Sequence, residues 1–144
     1  MIRKQTHIGS YGIIYKDNMI VLIKKARGGY TGKLDLPGGG IEHTETPEET
    51  LKRELMEETG VTVTDYTLID VQSSNLVWQV RDNLDEDLHH IGILYLVAQF
   101  EGNIKEEPDG IDSNGANWYD VDALNEENLT PFAKYAVKYL KKTR

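Results

Sequence analysis

Strand-like apolar patterning runs from Thr6 to Tyr15 and again from Met19 to Ala26, with Lys16-Asp17-Asn18 between them as a turn. Met19-Ile20-Val21-Leu22-Ile23 is an unbroken apolar run, as expected of a strand covered on both faces. Arg27 to Lys33 holds three glycines and reads as a loop. Residues 46–60 change period. Thr46 is suited to cap a helix, Pro47 to its first position and Glu49 to the reciprocal bond of a capping box, while Gly60 is a stop signal. Leu51 and Leu55 lie one turn apart and are suited to a core. Further strands are expected over Val61 to Val71, Leu76 to Val80 and Ile91 to Phe100. Gly102 to Asn117 is polar and turn-rich, Trp118-Tyr119 reads as a short strand, and Val121 to Leu124 as a short helix. Thr130-Pro131 opens a last helix to about Lys142, with Phe132, Ala136, Val137 and Leu140 on its apolar side.

The predicted helix carries the chemistry. At 3.6 residues per turn, Glu54, Glu57 and Glu58 project from one face, and Arg53 is placed to pair with Glu57. Like charges at this spacing cost a few tenths of a kcal/mol each unless a cation or solvent offsets them. Two readings are open on this evidence: a solvated acidic face, and an oxygen-donor site for Mg²⁺ or Mn²⁺. Zinc is disfavoured because no histidine or cysteine shares the face.

The wider segment supports the second. Gly39, Glu45, Arg53-Glu54-Leu55, Glu57-Glu58 and Gly60-Val61 fit the pattern Gly-x5-Glu-x7-Arg-Glu-Leu-x-Glu-Glu-x-Gly-Val, which resembles the Nudix box at every defined position. Leu36-Pro37-Gly38-Gly39-Gly40 is similar to the strand and turn that lead into the box in that family. The specific match covers residues 34–61, and elsewhere the likeness is one of layout. The resemblance implies an α/β/α sandwich with a mixed β-sheet between helices, formed as one domain over residues 1–144. It implies a pyrophosphohydrolase acting on a nucleoside diphosphate linked to another group. Glu54, Glu57 and Glu58 are then metal ligands, with Gly39 at the metal site as a turn residue. Glu54 is also a candidate general base, although family members differ on where the base sits. Arg53 orients Glu57, and Glu45 supports the site near metal and substrate. The expected cofactor is Mg²⁺, with Mn²⁺ as the alternative.

Outside the box the signals are weaker. Pro37-Gly38-Gly39-Gly40 lacks the Gly-Lys-Ser/Thr of a phosphate-cradling loop and serves as a sharp turn. Asp109 to Gly115 lacks calcium-loop spacing and reads as a turn. Lys25, Arg27 and Lys33 flank the glycine-containing loop, and the family resemblance implies that a basic residue here meets substrate phosphate, with Arg27 the candidate. The resemblance also implies an additional acidic ligand or base in the region of Glu101, Glu106, Glu107 and Asp109. His89 and His90 are ordinary surface or core unless one meets substrate, and Tyr11, Trp78, Trp118 and Phe132 are read as core rather than as stacking platforms.

The 144 residues contain no cysteine, which excludes disulfides, thiolate metal sites and a cysteine nucleophile. A net charge of −8 argues against broad nucleic-acid binding but not against a small nucleotide. Neither the N-terminus nor the longest apolar run, Ile93 to Ala98, is long and apolar enough to direct or span a membrane, so a cytoplasmic location is expected. The favoured function is a MutT-like nucleoside triphosphate pyrophosphatase. Alternatives are hydrolysis of ADP-ribose, dinucleoside polyphosphates or RNA caps, and a non-catalytic nucleotide sensor. The chain is expected to be a monomer or a homodimer.

Overall fold

The computed structural model describes residues 1–106 and 113–144. Two long strands set its frame: β1 (Ile2–Lys16) and β6 (Leu84–Glu101) run parallel from Ile2↔Asp85 to Ile14↔Val97. β5 (Thr62–Arg81) pairs antiparallel with the outer side of β6. On the other side, β2 (Met19–Lys25) forms a hairpin with the end of β1 through Asp17 and Asn18, both at positive φ. This is the conformation that Asp and Asn tolerate best among residues other than glycine. β3 (Leu34–Asp35) and β7 (Ser113–Asp120) both pair with β2, and β4 (Gly38–Gly40) pairs with the middle of β1. The result is a mixed sheet.

Alternation along the strands divides the core between two helices. Ile20 and Leu22 of β2 pack with Tyr11, Ile13, Leu94 and Phe132 beside α2 (Pro131–Thr143). Val21 and Ile23 pack on the opposite face with Ile14, Tyr95, Leu51 and Leu55 of α1 (Pro47–Thr59). The unbroken apolar run at the start of β2 is therefore buried on both faces, and the architecture is an α/β/α sandwich. Gly12 lets α1 approach: a Cβ there would stand 2.7 Å from a Leu55 methyl. Among the described residues no helix is long and apolar enough to cross a membrane.

Helix α1 starts and stops where its end signals place it. Thr46 Oγ1 accepts from the Glu49 amide at 3.2 Å, Glu49 Oε1 accepts from the Thr46 amide at 3.1 Å, and Gly60 ends the helix at φ 80°. A Thr cap of this kind contributes about 1 kcal/mol.

The strands after α1 are longer than the apolar pattern suggests. The expected breaks, between Val71 and Leu76 and before Ile91, are absent. The polar run Gln72-Ser73-Ser74-Asn75 pairs with Ile91, Gly92, His89 and His90 of β6. Its position in an outer strand leaves one face for polar side chains. Leu84 to His90 is strand because β1 and β5 hydrogen-bond to it from both sides, which does not require apolar side chains. The hairpin closes through Asp82-Asn83, with Asn83 at φ 63°. β7 likewise begins at Ser113, inside the region expected to be a turn. The short helix after β7 is a 3₁₀ turn at Val121–Ala123.

Candidate active site

The Gly38–Gly40 strand places the backbone against α1. Gly38 has φ 147°, and a side chain there would collide with the carbonyl of Ser10. Gly39 faces the Glu54 carboxyl so closely that a Cβ would lie 2.6 Å from its Cδ and 2.7 and 2.8 Å from its oxygens. The glycines thus bring main chain and carboxylate into direct apposition.

Glu58 projects under the same turn. It is 3% exposed, and its Oε1 accepts from the Gly38 amide at 2.7 Å. Burial raises its pKa well above the usual carboxylate range; the Gly38 amide and Lys25 pull it down, while Glu54 and Asp35 push it up. Glu57, by contrast, has a side chain that is 56% exposed. Among the three glutamates expected to hold metal, Glu54 borders a cavity, Glu58 is buried and Glu57 faces solvent.

Arg53 ties the segment together. Its Nε and Nη2 donate to the two Glu45 oxygens at 2.7 and 2.9 Å, and Nη1 donates to Glu54 Oε1 at 2.9 Å. Nη2 also reaches the Gly40 carbonyl at 3.3 Å. The expected bond to Glu57 is present but long, at 3.4 Å, so the guanidinium orients Glu54 and Glu45 more firmly than Glu57. Glu45 also accepts from the Thr50 hydroxyl and the Glu42 amide. These donors, Arg53 foremost, hold its pKa down at about 2. Its oxygens are committed to the protein, and it does not line the cavity expected to take substrate.

That cavity has a volume of about 310 Å³. Glu54, Gly38, Gly39, Gly40 and Asp35 form one part of its wall, Lys25, Arg27, Gly29 and Tyr30 another, and Gln5, His7, Tyr11, His90, Glu86 and Leu88 the rest. The extended β5–β6 hairpin supplies Glu86 and Leu88, and Trp78 and Leu76 of that hairpin pack against Gly29. Glu86 is buried, accepting from Trp78 Nε1 at 3.0 Å and Arg3 Nη2 at 2.6 Å. His90 Nε2 and the Tyr11 hydroxyl are 2.7 Å apart, and burial first, then His7 and Lys25, lower the imidazole to about 3. His90 is therefore neutral at physiological pH. A cleft of about 660 Å³ beside Thr6, Ile8 and Glu42 shares His7, Gly40 and Glu54 with this cavity, whereas one of about 420 Å³ beside Asp17, Phe100 and Trp118 contains none of the box carboxylates.

Several residues absent from the expected site border the cavity: Asp35, Glu86, Gln5 and His7. Asp35 carried a signal, a lone acid between Leu34 and Leu36 just before the Pro-Gly turn. The resemblance points further along the chain for the additional acid. Glu101 and Glu106 do not line the cavity, and Glu107 and Asp109 lie outside the described residues. Of the two histidines, His90 borders the cavity and His89 does not; Trp118 and Phe132 pack in the two core clusters, as expected.

The donor set fits a hard divalent cation: carboxylate and main-chain oxygens, with repulsion among Glu54, Glu58 and Asp35 for a cation to relieve. Among the described residues no three acidic or imidazole groups stand ready as a complete ligand set.

A family model described as the NUDIX domain matches residues 5–140. The chain belongs to this family. It is a Nudix hydrolase, in a family whose members generally use a divalent metal. The 8-oxo-dGTP diphosphatase of Escherichia coli is 31% identical over 134 residues, 91% of this chain and 93% of that protein. The ADP-ribose pyrophosphatase of Methanocaldococcus jannaschii is 36% identical over 113 residues, 78% of this chain; the match spans only 61% of that relative's length. Among solved structures, the MutT NUDIX hydrolase from Burkholderia pseudomallei is similar, with a TM-score of 0.75 and 28% identity over 93% of this chain and 97% of that one.

Proposed function

We propose that this Nudix hydrolase is a Mg²⁺-dependent nucleoside triphosphate pyrophosphatase of the MutT kind, with Mn²⁺ as a substitute ion. The observation that carries this reading is the cavity of about 310 Å³ into which Glu54 and the Gly38–Gly40 turn open. Lys25 and Arg27 line the same cavity, so one opening sets cations suited to a phosphate chain beside the glutamate. The near full-length similarity to a bacterial 8-oxo-dGTP diphosphatase supports it.

Glu54, Glu57 and Glu58, with the Gly39 main chain, would hold the ion. When bound, the ion lowers the pKa of water and neutralises charge on the phosphoryl oxygens. Glu54, fixed by Arg53, takes the proton from the attacking water. The water oxygen forms the new bond to phosphorus, and the anhydride P–O electron pair leaves with the bridging oxygen. Arg27 and Lys25, which border the cavity, meet the phosphate negative charge. Glu45 holds Arg53 and acts through it, a positioning role.

The test is hydrolysis of nucleoside triphosphates in ¹⁸O-water with Mg²⁺, with products identified by mass. The proposal expects nucleoside monophosphate and pyrophosphate, with one label on one of the two. A second reading, ADP-ribose hydrolysis, is favoured by the archaeal relative. ADP-ribose incubated in parallel that yields ribose 5-phosphate and AMP, with no attack on triphosphates, would establish that reading instead.

A further inference from the structure

We propose that Asp35 is an additional carboxylate of the cation site, acting through a water in the ion's shell. This inference rests on the metal-dependent function proposed above. Asp35 is 4% exposed and borders the cavity. Its Oδ1 accepts from the Leu36 amide at 2.8 Å and the Thr130 hydroxyl at 2.6 Å. Among the described residues no donor meets Oδ2, yet Oδ2 is not sealed from solvent. The opening it borders is the cavity.

A structural role accounts for only half of this side chain. Thr130 caps α2, and its bond to Oδ1 fastens that helix to β3. An asparagine oxygen would do the same without the cost of burying a charge. Lys25 is a nearby positive charge that acts on both Asp35 and Glu58. Glu54 also acts on Glu58 and has Arg53 as its own partner at 2.9 Å, so Asp35 and Glu58 share Lys25, and a divalent cation would add positive charge beside them. Oδ1 is committed to Leu36 and Thr130, which leaves one oxygen for the ion's shell and suits a place behind a water.

The test is Mn²⁺ binding to the full chain without substrate, read by electron paramagnetic resonance. The expected result for Asp35→Asn is about ten- to a hundredfold weaker Mn²⁺ affinity, the usual effect of removing an outer-shell partner, with an unchanged or higher Tm in metal-free buffer. Thr130→Val, which breaks the helix anchor but keeps the carboxylate, should bind Mn²⁺ like wild type. Should Asp35→Asn not fold, Asp35→Ser gives the same comparison. Wild-type affinity in the Asp35 variant, with weakened binding in Glu58→Gln, overturns this inference alone. Equal weakening in Thr130→Val also overturns it, because anchoring is then the cause. Wild-type protein that binds no Mn²⁺ overturns the proposed function as well.

Discussion

Gly39→Ala separates the catalytic geometry from the fold. The added Cβ would lie 2.6 Å from the Glu54 Cδ, whereas ordinary contact begins at 3.4 Å, so the carboxyl must move by roughly 0.8 Å. Gly39 has no positive φ, so the backbone accepts alanine without strain. What gives way is the end of a side chain, and with it the 2.9 Å bond from Arg53. Both partners are partly exposed, so losing that bond costs about 1 kcal/mol or less. Tm should fall by no more than about 4 °C. A displacement near 1 Å at a reacting group costs about a hundredfold in rate, or about 2.7 kcal/mol of barrier. Steady-state hydrolysis of a nucleoside triphosphate with saturating Mg²⁺, beside a thermal melt, reads both quantities. Gly38→Ala is the contrast. Its φ of 147° and its contact with the Ser10 carbonyl leave no flexible group to move, so this variant should lose the fold. Wild-type kcat/KM in a folded Gly39→Ala protein would refute the reasoning.

Other expectations concern the same site. Glu58→Gln should lose most turnover while keeping or raising Tm in metal-free buffer, because it relieves repulsion from Glu54 and Asp35; a near-normal rate removes Glu58 from the site. Arg53→Lys should lower kcat/KM at least tenfold, since an ammonium cannot hold both Glu45 oxygens while reaching Glu54; an unchanged rate would show that the fork is dispensable. His90 binds its proton at about 3 when folded and near 6.5 when unfolded. The unfolded state therefore takes up protons first, and stability present above pH 6.5 declines as pH falls toward 3. The loss is on the order of a few kcal/mol. Denaturant melts across that range should show a flatter decline in His90→Asn, and an equal slope would contradict the assignment. Chelation should abolish turnover, and Mg²⁺ or Mn²⁺ should restore it.

Local chemistry made parts of this molecule readable from sequence. Thr46, Pro47, Glu49 and Gly60 each act within one turn of the chain, so their spacing alone delimits α1. The double burial of Met19 to Ile23 was likewise plain, because an unbroken apolar run has few other uses. The β5–β6 hairpin was obscured because pairing, not hydrophobicity, holds Gln72 to Asn75 and Asp85 to His90 in strands. At the site, the spacing of the box carried the glutamates but not their environments. Burial of Glu58 and exposure of Glu57 depend on how α1 sits against Gly38, a tertiary fact. Asp35 is placed by a tertiary fact of the same kind. It joins Glu54 beside the cavity only because β3 and α1 converge there, from positions 19 residues apart.

The most direct test compares wild type with Glu54→Gln on a panel of unmodified and oxidised nucleoside triphosphates, ADP-ribose, NADH, diadenosine polyphosphates and nucleotide sugars, with and without Mg²⁺. The account predicts strong, Mg²⁺-dependent conversion of at least one nucleoside triphosphate to its monophosphate and pyrophosphate, lost in Glu54→Gln. Metal-independent turnover, or equal rates in the two proteins, would contradict it.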